Sequence, residues 1–313
     1  MIGRPEYADV NCRLSIALTG GTAGAGRPGS AGRPGSSRPL IAVHRGSHAG
    51  VVVQDTAAAV RAARASGGDI VEIDVTRSAD GVLYAFHDGN EPALLGVAEN
   101  LAALDSAEID ALRYIYPHGD TPGDRVERAA QTFGAFRGTD TLFNVDRSWF
   151  WWPGALREMD TWDMTDQLIV KSEASDKAVC ALAEHPVKYA FTPIVTSMDE
   201  ALRYLDVCDL NIVGLELIAT APDHPFLQRE TLDELRARGL FLLVNSEVIL
   251  RDVPLFAGYD DAAALTDGPE AAWGPLFDLG IDIIQTDWPW LLRDYRDGRE
   301  RRDDLDDLER CRS

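Results

Sequence analysis

From Leu40 onward the chain alternates between short uninterrupted apolar runs and longer stretches in which apolar positions recur every three or four residues. The runs predict strands over 40–43, 70–75, 141–146, 167–171, 189–195, 212–217, 240–244 and 281–286. The helical spacing predicts helices near 55–66, 154–160, 174–184, 198–206, 226–237 and 270–279. Segments such as Phe241-Leu242-Leu243-Val244 lack polar alternation, which suits strands covered on both faces of a parallel sheet. Eight such strands separated by helices predict an α/β fold, a closed (β/α)8 TIM barrel. A hairpin at 82–86 and the stretch 89–140 read as an insertion after the second strand.

Outside that region the pattern fails. Residues 1–38 end in a near-repeat of Ala-Gly-Arg-Pro-Gly-Ser, too poor in apolar side chains to bury a core, and read as a disordered leader. Its glycines follow no strand, so they do not make a phosphate-binding loop. Residues 39–295 then form the barrel domain, and 296–313, almost entirely charged, a solvated tail. A chain of 313 residues suits a single α/β barrel.

Charge narrows the partners. The formal net charge of −21 argues against nucleic acid, whose phosphates demand basic surface, and against anionic membranes. No apolar run approaches the ~20 residues that span a bilayer, so stable membrane insertion is not expected. Leu14–Leu18 is shorter than the roughly 7–15 apolar residues of a signal-peptide core. Cys12, Cys180, Cys208 and Cys311 lack metal-type spacing and read as free thiols. The expectation is a cytoplasmic protein whose partner is a small molecule.

Polar residues gather at one end of the predicted strands. His44 and Arg45 end the first, Glu72 and Asp74 lie on the second, and Asp146 ends the third. Lys171 ends the fourth, Glu216 lies near the end of the sixth, Asn245 ends the seventh, and Thr286 and Asp287 end the eighth. The C-terminal face of such a barrel is where its chemistry sits. Glu72 and Asp74, two residues apart on a strand, share one face. Two acids, two histidines (His44 and His87) and an arginine are the raw material of a metal-assisted phosphoryl site. Oxygen-only ligands favour Mg2+ or Ca2+ over zinc. Of the aromatic run Trp149-Phe150-Trp151-Trp152, one or two side chains are expected to wall the pocket, meeting a quaternary ammonium face-on. Trp149, Trp151 and Trp152 are the candidates, with Glu216 and Asn245 as further pocket residues.

The ordered set His44-Arg45-Gly46, Glu72-Ile73-Asp74-Val75, Asp80-Gly81-Val82 and His87-Asp88 resembles the glycerophosphodiester phosphodiesterase family. The ending Gln285-Thr286-Asp287-Trp288-Pro289 resembles that family's last strand. The resemblance implies a TIM barrel that hydrolyses a glycerophosphodiester into glycerol 3-phosphate and an alcohol, with a divalent cation. It implies His44 and His87 as general acid and base, Arg45 as a phosphate contact, and Glu72 and Asp74 as metal ligands. Asp146 stands where the family has a glutamate ligand, and Lys171 is a second candidate phosphate contact. The chain departs from the family at Val53-Gln54-Asp55-Thr56, where Asp55 is expected to cap the following helix. Two alternatives remain: a sphingomyelinase D-like lyase that forms a cyclic phosphate, and a catalytically silent barrel used for binding.

Overall fold

The structure, a computed structural model, describes residues 2–19, 38–116, 123–173, 175–250 and 253–310. Eight parallel strands close on themselves: β1 (Leu40–Val43), β2 (Ile70–Arg77), β4 (Leu142–Asp146), β5 (Leu168–Ser172), β6 (Ala190–Val195), β7 (Gly214–Leu217), β8 (Phe241–Asn245) and β9 (Ile283–Thr286). The pairing of β1 with both β2 and β9 completes the barrel. β3 (Leu83–Ala85) returns antiparallel along β2, as the hairpin pattern predicted. The strands are buried almost throughout because helices cover their outer faces, which is why their sequences show no alternation.

Those helices fall close to the predicted positions: α2 (Ala57–Ala65), α4 (Gly154–Asp160), α5 (Asp176–Glu184), α6 (Met198–Leu205), α7 (Arg229–Ala237) and α9 (Pro269–Asp278). The alternation alone does not reveal α1 (Cys12–Thr19), α3 (Ala129–Gly134) and α8 (Asp261–Thr266). Ala129, Phe133 and Phe136 pack into the barrel's main core, so the insertion ends before α3 instead of reaching residue 140. The insertion has its own small core of Tyr84, Phe86, Leu95, Leu101, Ile109, Tyr114 and Val126.

Both chain ends depart from expectation. The disordered reading of residues 1–38 fails for 2–19, which form a short 3-10 turn (Pro5–Tyr7) and α1. Leu14, 2% exposed, closes the N-terminal end of the barrel against residues from the strand starts, including Leu40, Ile70, Leu142 and Ile283. Asn11 and Asn211 seal that end with reciprocal side-chain hydrogen bonds of 2.9 Å. The glycine-rich repeat, within 20–37, lies outside the described residues. At the other end α10 runs unbroken over Pro289–Arg310, so the expected boundary at 295 falls within a helix. Arg296 is buried there and donates to the Pro39 carbonyl and to Asp69, both at 2.8 Å. A charged sequence reads as solvated only until one arginine finds such partners. Among the described residues no helix is long and apolar enough to cross a membrane.

Leu14 sits at the opposite end of the barrel from the strand termini that carry the polar residues. Leu14→Ala should therefore lower the unfolding free energy by about 2–4 kcal/mol, as burial of a leucine in a core implies. Urea denaturation measures this, and ligand binding at the far end should be unchanged.

Candidate active site

The carboxylates are placed by the register of the sheet. Asp74 on β2 pairs with Asp146 on β4, and Glu72 with Asn144, so the pleat turns the acids to the same interior face. Glu72, Asp74 and Asp146 each offer an oxygen within 4.8 Å of the others. Glu72 is fully buried and Asp74 is 2% exposed. Burial and mutual repulsion push the Asp74 carboxyl up to about 7 and Glu72 well above its ordinary range. Oε1 of Glu72 is buried without a hydrogen-bond donor, and Oδ2 of Asp74 has only an ion pair to Arg45. Buried acceptors normally find a donor. An oxygen-only set with acceptors to spare fits a hard divalent cation, and this triad could hold one.

Arg45 is brought to the acids by an unusual turn. After β1, Arg45 and Gly46 both take left-handed backbone, φ 53° and 69°. A Cβ on Gly46 would lie 2.8 Å from the Ala59 backbone in α2, so this position needs glycine. The turn aims the Arg45 backbone N–H at Glu72 (2.7 Å) and its guanidinium Nε at Asp74, 3.0 Å away. A non-glycine residue in this region is strained, and such strain concentrates at functional sites. Asp55, also left-handed, does not cap α2. Thr56 does so, accepting from Ala59 N at 3.2 Å, while fully buried Asp55 accepts from the Asp74 backbone N–H at 3.0 Å.

Lys171 is enclosed by acids. Its ammonium lies 2.5 Å from Asp146 and 3.0 Å from Glu216, buried between them. Of its three donors two are committed, so it chiefly fixes the third carboxylate; it still borders the cavity. Arg147, whose backbone N–H donates to Asp146 at 2.6 Å, pairs through its side chain with Asp88 at 2.7 Å.

The two histidines open into the same cavity of about 500 Å³ as Arg45, Asp74 and Asp146. Nδ1 of His44 lies 2.9 Å from Asp287. An ionised carboxylate can only accept, so Nδ1 carries a proton in either charge state of the ring. Burial lowers the His44 pKa, with Asp287 opposing the shift. His87 follows β3, and its buried Nδ1 has no partner. Burial, Arg45 and Arg147 bring its pKa down to about 4.

Of the aromatic run, Trp149 lines the cavity. Trp151 instead packs beneath Arg77 (5.0 Å), and Trp152 is in the core against Phe191. Neither lines the cavity: Trp151 ends the 3-10 helix Ser148–Trp151, whose 3.0 residues per turn send neighbouring side chains in different directions, and Trp152 follows it in extended backbone. Glu216 and Asn245 do line the cavity, joined by a hydrogen bond of 2.7 Å. Sequence reasoning gave no role to Asp287, Asp261, Glu247 or Gln285. Asp261 accepts from Ser246, Thr286 and the Asp287 backbone, and so holds the partner of His44. Only the Thr286-Asp287 pair at a strand end offered a signal.

A closed barrel that gathers three carboxylates, an arginine and two histidines at its C-terminal end is of the phosphoric diester hydrolase class. The chain belongs to the glycerophosphoryl diester phosphodiesterase family, whose model matches residues 44–202, over half its length. A second model, described as a domain of unknown function, matches 191–296. A glycerophosphoryl diester phosphodiesterase from Parabacteroides distasonis superposes with TM-score 0.61 at 17% identity, covering 81% of this chain and 84% of that one. A phosphodiesterase from Oleispira antarctica, in complex with the product sn-glycerol-3-phosphate, gives 0.58 at 18%, covering 83% and 97%. One from Agrobacterium tumefaciens gives 0.56 at 20%, covering 81% and 98%. At these identities the likeness speaks for the fold. No curated protein matches the chain.

Asp146→Asn removes one charge of the triad but keeps the side chain's shape. Calorimetric titration with Mg2+ or Ca2+ should show affinity at least ~10-fold weaker than in the unaltered protein. Unchanged affinity would place the third ligand elsewhere.

Proposed function

We propose that the protein hydrolyses glycerophosphodiesters to glycerol 3-phosphate and an alcohol, with Mg2+ or Ca2+ on Glu72, Asp74 and Asp146 and with His44 and His87 as its acid–base pair. The observation that carries this reading is the opening of both imidazoles into the cavity that Arg45 and the carboxylate triad border. The cation, when bound, would neutralise charge developing on the phosphoryl oxygens.

The two histidine environments divide the labour. Burial and Arg45 disfavour a proton on either ring, but Asp287 opposes this at His44, whereas Arg147 adds to it at His87. Both imidazoles are shifted downward, and Asp287 is what favours the acid role for His44 over His87. His87 accepts the proton of the attacking water as its oxygen bonds to phosphorus. His44, as the imidazolium with Asp287 holding its Nδ1 proton, gives its Nε2 proton to the alkoxide as the bond from phosphorus to the alcohol oxygen breaks. Arg45 meets a phosphoryl oxygen, and its pairing with Asp74 keeps its guanidinium in place. Family membership favours this reading over a silent barrel or a lyase, and product analysis tests it. Free glycerol 3-phosphate supports hydrolysis; a cyclic phosphate as the final product would overturn it.

His44→Ala and His87→Ala should each lower kcat on a true substrate by about 10²–10⁴ without unfolding the chain. Near-normal turnover in either would remove that histidine from the pair. His87 works as a base only when neutral, so kcat/KM should fall with acid through about pH 4, the value its surroundings set. An acid limb that stays near the ordinary histidine value of about 6.5 at saturating cation, where the carboxylates are held ionised, would contradict its role.

A further inference from the structure

One side of the cavity is lined by buried oxygens that lack donors. Asn245 and Gln285 face each other in the register of β8 and β9, and Glu247 follows two residues after Asn245. The Gln285 amide donates to Oε1 of Glu247 at 3.0 Å, and the Asn245 amide to Oε1 of Glu216 at 2.7 Å. Both amides thus turn their nitrogen toward an acid and their carbonyl oxygen away from it. Oδ1 of Asn245, Oε1 of Gln285 and Oε2 of Glu247 are left buried with no hydrogen-bond partner. The three residues are 5%, 2% and 2% exposed, and all line the cavity.

The charges around them have one sign. The charged groups that act most on Glu247 are Asp287 and Asp261, both acids. The cavity's cations are committed elsewhere: Lys171 to Asp146 and Glu216, Arg45 to Asp74, and Arg147 to Asp88. Burial and these acids push the Glu247 carboxyl well above its ordinary range, and a cation placed beside it would favour its ionised form, freeing both oxygens to accept.

We propose that Asn245, Gln285 and Glu247 form a subsite for a primary ammonium group on the alcohol of the diester, an inference that rests on the function proposed above. A primary ammonium has three donors and no acceptor, which matches three acceptors in want of donors. A quaternary ammonium brings the charge without a donor. A polyol brings a new acceptor with every donor it supplies. The substrate would then be zwitterionic, its phosphate toward Arg45 and the histidines and its ammonium toward β8 and β9.

Binding tests this without turnover. The full chain is titrated calorimetrically with ethanolamine, choline and glycerol in separate experiments, and then Glu247→Gln is titrated in the same way. Ethanolamine should bind at least ~10-fold more tightly than either other probe, the scale of charge-assisted hydrogen bonds. Glu247→Gln should abolish that preference while changing glycerol affinity less than about twofold. Choline or glycerol binding as tightly as ethanolamine overturns the proposal, as does a preference that survives Glu247→Gln. The unaltered protein's three affinities decide the matter even if the variant does not fold. Selective ethanolamine binding by a protein that cleaves no glycerophosphodiester would overturn the function and leave the subsite standing. Cleavage without that selectivity would do the reverse.

Discussion

Like charges crowded out of water are the constraint on which this molecule turns. Asp74 and Asp146 face each other across one rung of the sheet, with Glu72 beside them and Asp55 behind. At separations near 4 Å two such charges repel by about 4 kcal/mol even with the screening typical of protein sites. Arg45 and Lys171 offset part of this, the first against Asp74 and the second against Asp146 and Glu216. Much else follows from keeping those cations in place. The left-handed turn at Arg45, the closeness of Gly46 to Ala59 and the burial of Lys171 all hold positive charge against the acids. The eight-stranded barrel, sealed below by Leu14 and Asn11, supplies the rigidity that lets the repulsion persist.

That arrangement gives the cavity a polarity. Near β1, β2 and β4 lie Arg45, Arg147 and the two imidazoles; near β8 and β9 lie acceptor oxygens under acidic influence. The histidines differ for the same reason. His44 leans on Asp287, which Asp261 anchors through its backbone, while His87 lies within the field of two arginines. One chemical type thus acquires two tendencies from its neighbours.

The barrel was legible because its strands are covered on both faces, and continuous apolar runs are what that environment selects. The strand-end acids and histidines were legible because period-two spacing and the C-terminal face leave little freedom. Interactions decided by partners distant in sequence were not. Nothing near Lys171 announces that Asp146 and Glu216 will enclose it, and nothing in Leu14-Ser15-Ile16 announces a plug for a barrel that begins beyond a glycine-rich repeat. Asp55 was read as a cap because aspartate caps well, but Thr56 next to it caps as well and Asp55 is drawn inward to the Asp74 backbone. Trp151 and Trp152 were misplaced because a 3-10 helix carries the first and the chain turns extended at the second.

The central claim is that the acid triad is a cation site on which diester cleavage depends. The most direct measurement follows glycerophosphoethanolamine by phosphorus NMR with chelator-treated protein, before and after Mg2+ or Ca2+ is restored. The account predicts no glycerol 3-phosphate until the cation returns, and its steady appearance afterwards. Turnover undiminished by the chelator would contradict it.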